Sequence, residues 1–103
     1  MIVETTNYFA SEGKAAAVLE QRRRATSIRL ALGLPPGRIL VKLTGDGPDV
    51  RWECTFASMQ AYEADMEARA SSPEFAAARN AMHTLLSRFE RHLSAEDDKP
   101  AAT

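Results

Sequence analysis

Three features of this chain predict an α+β fold built on an antiparallel sheet. Residues 1–32 run from a strand-favouring segment into a helical one. Two alternating segments follow, joined by a short glycine-rich link of the kind that makes a hairpin. The stretch Val50 to Phe75, VRWECTFASMQAYEADMEARASSPEF, then reads as an alternating strand, a capped helix, a break and a second capped helix. The predicted order is β-α-β-β-α-α. The last segment fits either a continued helix or a fourth strand.

Met1 to Ala10 favours strand because Ile2, Val3, Thr5, Thr6, Tyr8 and Phe9 are β-branched or aromatic. Alternation puts Val3, Thr5, Asn7 and Phe9 on one face and Ile2, Glu4, Thr6 and Tyr8 on the other. The first set is expected to look towards the helices. Ser11 offers an N-cap, and a helix should run to about Leu32 with Val18, Gln21, Ala25, Ile28 and Leu32 on its apolar stripe. Gly33 suits the position after its end, and Pro35-Pro36 forbids continuation. Arg38 to Thr44 is the second strand, with Ile39, Val41 and Leu43 on one face. Gly45-Asp46-Gly47-Pro48-Asp49 is a loop, and Val50 to Ala57 the third strand, with Val50, Trp52, Cys54 and Phe56 pointing one way.

Ser58 can cap the next helix, whose stripe is Met59, Tyr62 and Met66. Ser72, Pro73 and Glu74 form a second start signal, followed by Phe75, Ala78, Met82, Leu85 and Leu86 at helical spacing. Phe89 and Leu93 could extend that helix, or RFERHLS could be a strand. Residues 1–94 are read as one domain, and 95–103, AEDDKPAAT, as a disordered tail because they lack apolar anchors.

Composition narrows the function classes. The chain has 103 residues, 45% of them hydrophobic, and a net charge of −1. That balance speaks against a dedicated nucleic-acid binder. The single Cys54 rules out an internal disulfide and makes no zinc site. The N-terminus lacks the basic start and apolar run of a signal peptide, and no apolar segment approaches the roughly 20 residues of a membrane span. The expectation is a cytoplasmic protein with no nucleic-acid or membrane partner.

Glu53-x-x-Phe56-x-Ser58-x-x-Ala61-Tyr62 and Ser72-Pro73-Glu74-Phe75 are the strand-to-helix junction and helix restart of a known group. Through them the chain resembles the dimeric α+β barrel superfamily: antibiotic-biosynthesis-type and haem-degrading monooxygenases, stress-responsive A/B barrel proteins and NIPSNAP-like proteins. The resemblance covers about residues 1–94. It implies a ferredoxin-like fold and a homodimer in which two sheets meet and close a barrel. The face left for the partner would carry Glu4, Thr6, Tyr8, Arg51, Glu53 and Thr55, a mixed rather than greasy surface.

Candidate site residues follow from the residues and the resemblance together. Asn7 is a polar anomaly among Val3, Thr5 and Phe9: it is either a hydrogen-bonded asparagine near the strand end or a pocket residue, since in haem-degrading members an asparagine in this part of the first strand lies at the ligand pocket. The same comparison puts Phe56 where those enzymes use Trp, and Arg79 near their axial histidine, with His83 one turn later. Both departures speak against haem. Trp52, Phe56 and Tyr62 are core aromatics or the apolar wall of a pocket between sheet and helices. Arg22 and Arg29 are seven residues apart and share a helix face with Thr26. They are either a solvated flank pairing with acids or the rim of a pocket for an anionic substrate. Cys54 reads as a small buried hydrophobe, and Glu63, Asp65 and Glu67 do not share a helix face.

Three functions compete. One is a NIPSNAP-like protein that binds a small hydrophobic or aromatic ligand without established catalysis. Another is a cofactor-free monooxygenase-like or isomerase-like enzyme on an aromatic or polyketide-like compound, with Asn7, His83 or Arg79 doing the polar work. A third is haem binding or degradation. The resemblance to oxygenases calls for no cofactor, since in that kind of member the substrate supplies the electrons.

Overall fold

In a computed structural model, residues 1–97 are described. They form β1 (Ile2–Ala10), α1 (Ala15–Ala31), β2 (Arg38–Val41), β3 (Val50–Phe56), α2 (Met59–Ala70), α3 (Pro73–His83) and β4 (Leu86–Ala95). The four strands make one antiparallel sheet in the order β2-β3-β1-β4. All three helices pack on one of its faces, which is the ferredoxin-like arrangement. The other face is left open. β4 settles the ambiguous segment as a strand. Phe89 and Leu93 are four residues apart, a spacing that keeps side chains on one face in either a strand or a helix, so the pattern could not choose. What chooses is the edge of β1, which β4 pairs from Ile2 to Ala10.

The faces of β1 are the reverse of the expected ones. Ile2, Glu4, Thr6 and Tyr8 sit opposite Phe56, Cys54, Trp52 and Val50, on the helix side. Val3, Thr5 and Asn7 sit opposite Thr55, Glu53 and Arg51, on the open side. The two sets are almost equally apolar, so alternation alone gives no preference. The partners differ: the inward set meets the apolar residues of β3, and Glu4 and Tyr8 meet arginines from the helices.

The helix starts on α2 and α3 match expectation: Ser58 Oγ accepts from the Ala61 N–H and Ser72 Oγ from the Phe75 N–H, both at 3.1 Å. Ser11 does not cap α1. The chain turns first, with the Lys14 N–H bonded to the Ser11 carbonyl at 2.9 Å, and the helix begins without a side-chain cap. Its other end is a Schellman turn. Gly33 has φ +75°, its N–H meets the Leu30 carbonyl at 3.0 Å, and the Leu34 N–H meets the Arg29 carbonyl at 2.9 Å. β2 stops at Val41, short of the expected Thr44, and Leu43 is 94% exposed. Beyond Val41 the chain swings out to Asp49, whose carboxylate takes the Ala10 N–H at 2.8 Å and ties the hairpin to β1.

The core lies between sheet and helices: Tyr8, Val18, Val50, Trp52, Cys54, Phe56 and Met82. A second patch of Ala25, Ile28, Phe75 and Ala78 joins α1 to α3. Burying Trp52 alone stabilises the fold by roughly 4–6 kcal/mol, from ~25 cal/mol per Å² over its large surface. The Pro35-Pro36-Gly37 loop closes over its edge: the indole N–H donates to the Pro36 carbonyl at 2.8 Å. Gly37 (φ +64°) passes so close that a Cβ there would lie 2.5 Å from the indole nitrogen and 2.5 Å from the Glu53 carbonyl oxygen.

β4 extends through Ala95, and the Glu96 N–H bonds the Met1 carbonyl at 2.9 Å. Ala95 and Glu96 of the expected tail thus follow the sheet edge, and residues 98–103 lie outside the described residues. No helix among the described residues is long and apolar enough to cross a membrane.

Candidate functional site

The helix side of the sheet carries a buried chain of charges. α1 repeats every 3.6 residues, so Arg22 and Arg29 project from it towards the sheet nearly in line. α2 contributes Asp65 and Arg69, one turn apart, and β1 contributes Glu4, Thr6 and Tyr8 from alternate positions. Glu4, Arg22, Arg29, Asp65 and Arg69 are each at most 5% exposed.

Most of this chain is closed upon itself. Arg29 donates to both oxygens of Asp65 at 2.9 and 2.8 Å, and its Nε donates to the Pro35 carbonyl at 2.7 Å. Arg69 donates from Nε to Asp65 at 2.6 Å and from its other two nitrogens to Glu4 at 3.0 and 2.5 Å. Both acids are therefore fully engaged. Burial pushes the Asp65 carboxyl up, but the hydrogen bonds and charges of Arg29 and Arg69 outweigh it and hold it below the usual carboxylate range. Arg69 is opposed by burial in the same way, yet Glu4 and Asp65 fix it as a cation. Burial pushes the Cys54 thiol up despite the nearby Arg29, which leaves it a poor nucleophile.

Arg22 stands apart. No carboxylate lies within ion-pair distance of it among the described residues. It donates to the Tyr8 hydroxyl at 3.0 Å and, at the limit of hydrogen bonding, to Thr26 Oγ1 at 3.5 Å. Its Nε is the one buried side-chain nitrogen or oxygen without a hydrogen-bond partner among the described residues. The guanidinium lies 4.5 Å from the centre of the Trp52 ring. Such stacking contributes about 2 kcal/mol when desolvated, against a cost of several kcal/mol for burying an ion. Burial accordingly holds its pKa below the usual arginine value.

Beside Arg22 is a pocket between the sheet, α1 and α3 that encloses about 50 Å³. Tyr8, Arg22 and Trp52 form its inner end together with the paired Glu4 and Arg69, Phe75, Met82 and Phe89 its apolar sides, and the exposed Arg79, His83 and Arg91 its mouth. That space admits a few waters or a small head group. It does not enclose a drug-sized molecule, for which pockets run to roughly 300–1,000 Å³.

The structure brings Arg22, Trp52, Arg79 and His83 together around this pocket. Arg29 does not line it; it lies 4.7 Å from the Trp52 ring centre in the ion network, of which Glu4 and Arg69 do reach the pocket. Phe56 and Tyr62 meet edge to face at 5.4 Å and pack elsewhere in the core. Asn7 is not among the pocket residues. It faces the open side, where it donates to Glu90 at 3.1 Å and accepts from Arg51 at 3.0 Å. His83 packs edge to face on Phe89 at 5.3 Å. No group of three or more His, Cys, Asp or Glu among the described residues could hold a metal ion.

Sequence reasoning missed Glu4, Tyr8, Asp65 and Arg69. Glu4, Thr6 and Tyr8 were expected on the face opposite the helices, but Arg69 and Arg22 draw them inward. Asp65 was weighed only against Glu63 and Glu67. The useful signal was Asp65 and Arg69 at i, i+4, a spacing that makes an ion pair on one helix face.

No family model and no curated protein matches the chain. Solved structures do. An uncharacterised NIPSNAP domain protein from Burkholderia xenovorans shares 17% identity over 99% of this chain and 100% of its own, with a TM-score of 0.77. A protein described as an antibiotic biosynthesis monooxygenase shares 12% over 97% of this chain and 100% of its own, with a TM-score of 0.68. A dimeric ferredoxin-like protein of unknown function from Thermobifida fusca shares 15% over 92% and 90%, with a TM-score of 0.67. At such identities the likeness is one of fold, and it places this chain's fold among the ferredoxin-like α+β proteins that include NIPSNAP domains and antibiotic biosynthesis monooxygenases.

Proposed function

We propose that this protein is a homodimer that binds a small organic ligand with an aromatic or aliphatic body in the pocket between sheet and helices. The observation that carries the reading is the pocket itself. Apolar sides from Phe75, Met82 and Phe89 converge on a buried polar inner end, where Tyr8 and Arg22 keep donors to spare while Glu4 and Arg69 are paired with each other. That is the usual composition of a ligand site: a mostly apolar lining with a few placed donors. The dimer reading draws on the open face of the sheet, where Val3 and Phe9 lie among polar neighbours, and on the fold shared with proteins described as dimeric.

Trp52 is the chain's one tryptophan and lines the pocket's inner end, so its emission reports occupancy. Small aromatic and aliphatic acids, amides and alcohols are titrated against it, with thermal denaturation in parallel. A saturable change in emission and a raised midpoint are expected for at least one class. Ala78→Leu, which fills the pocket from α3, should remove both. Failure of every class, or binding unchanged in Ala78→Leu, would sink the reading. Light scattering checks the dimer: a mass of 11.3 kDa, that of one chain, at micromolar protein defeats it.

A further inference from the structure

Resting on that pocket, we infer that its ligand is an acid: a small carboxylate whose charged head sits against Arg22 and Tyr8 while its apolar body lies along Phe75, Met82 and Phe89 towards the mouth.

Charge accounting is the first ground. Among the described residues, the sheet side under the helices buries Arg22, Arg29 and Arg69 against only Glu4 and Asp65. Both carboxylates are used up by Arg29 and Arg69, with Arg91 also leaning on Glu4 at 3.4 Å. Arg22 is the surplus cation. A buried charge without a counter-charge is a costly arrangement that proteins keep where something else supplies the partner.

Hydrogen-bond accounting gives the second ground. A guanidinium has five N–H donors in a planar fork that matches a carboxylate. Arg22 uses one on Tyr8 and one, weakly, on Thr26, and its Nε has no partner. The Tyr8 hydroxyl oxygen accepts from Thr6 at 3.1 Å and from Arg22 at 3.0 Å, which leaves its own hydrogen to donate. An incoming carboxylate therefore meets a charged donor and a neutral one side by side. A neutral amide would set its own NH₂ donors against these donors.

Size and field agree with this. About 50 Å³ accommodates a head group but not a body, so the body must extend along the apolar sides. Arg79 and Arg91 stand at the mouth, where two cations raise the local concentration of anions.

The test uses matched pairs on the wild-type protein: benzoate with benzamide, phenylacetate with phenylacetamide, hexanoate with hexanamide, followed by Trp52 emission and calorimetry. At least one acid should bind about tenfold or more tighter than its amide, as expected of a charge-assisted pair over a neutral one. Arg22→Gln should erase that preference by weakening acid binding about tenfold or more, while Arg22→Lys should retain part of it. If amides bind as well as acids, the pocket reading stands and the inference is wrong. If acids win but Arg22→Gln, shown folded by circular dichroism, keeps the preference, the seat is not Arg22 and the inference is again wrong. If Arg22→Gln does not fold, the wild-type pairs still decide whether the ligand is an acid, and Arg22→Lys decides the seat. Binding of no probe at all removes the pocket reading and the inference together.

Discussion

The two faces of this sheet are both charged, and they handle charge in opposite ways. On the helix side, Glu4, Arg29, Asp65 and Arg69 are at most 5% exposed and bond only to one another and to neighbouring backbone or sulfur, apart from the lean of Arg91 on Glu4. On the open side, Arg38, Arg88 and His92 have side chains 71%, 64% and 58% exposed, and they pair with Glu53 and Glu90 in reach of water. The presence of charge does not distinguish the faces. Desolvation does. Buried charges attract strongly but cost several kcal/mol each to bury, so losing one partner is far worse than never having had the pair. Exposed pairs gain little because water already serves both ends.

The largest expected effect comes from breaking the buried side. Asp65→Ala leaves Arg29 and Arg69 short of three hydrogen bonds between them. A loss of about 3–5 kcal/mol is expected, a fall of more than about 10 °C in midpoint at ~4–8 °C per kcal/mol. Thermal and urea denaturation measure it, and a loss under about 1 kcal/mol would mean that water reaches this network. The same residue sets a pH dependence. Its folded pKa lies below its unfolded one, so its stabilisation is complete above about pH 4 and fades as pH falls through the folded value. Asp65→Asn, though less stable at neutral pH, should therefore lose less stability than wild type on going below pH ~4.

The scaffold was more legible than the site for a reason visible in particular residues. Ser58, Ser72 and Pro73 act through their own backbone neighbours, so their roles are local and readable. The buried face of α1 was not readable in the same way. Helical spacing pointed to Leu32, which is 40% exposed, while Arg22 and Arg29 are buried. Hydrophobic periodicity assigns arginine to water, and only a partner from another element overturns that. Asp65 is 36 residues from Arg29, and Glu4 is 65 from Arg69. No local pattern carries such a pairing. The inward turn of Glu4, Thr6 and Tyr8 went unread for the same reason, and with it the inner end of the pocket.

An intermediate effect is expected where the backbone itself closes the buried side. Gly37→Ala forces a side chain into φ +64° and into the indole of Trp52. Left-handed backbone costs roughly 1–2 kcal/mol in a residue with a Cβ, and overlap in a packed core about 1–3 kcal/mol more. Urea denaturation should show a loss of about 2–5 kcal/mol. Trp52 emission should shift to longer wavelength as the loop lifts and water reaches the ring. A stable variant with unshifted emission would show that the loop gives way without opening the core.

The smallest effect belongs to the open face. Arg38 donates to Glu53 Oε1 from two nitrogens, at 2.9 and 2.7 Å, which looks like a strong pair. It lies on the edge strand β2, however, and both ends keep contact with water. Arg38→Ala should cost under about 1 kcal/mol, and less in high salt, where exposed pairs are screened. The measurement also sharpens the comparison between faces. A partner covering the centre of the open face would leave this rim pair wet, so the small cost should hold at every protein concentration. A cost that approaches that of Asp65→Ala, or that grows as the protein is concentrated, would show that Arg38 is desolvated in solution. The open face would then extend past its centre as a buried surface, and the contrast drawn from a single chain would describe only the monomer.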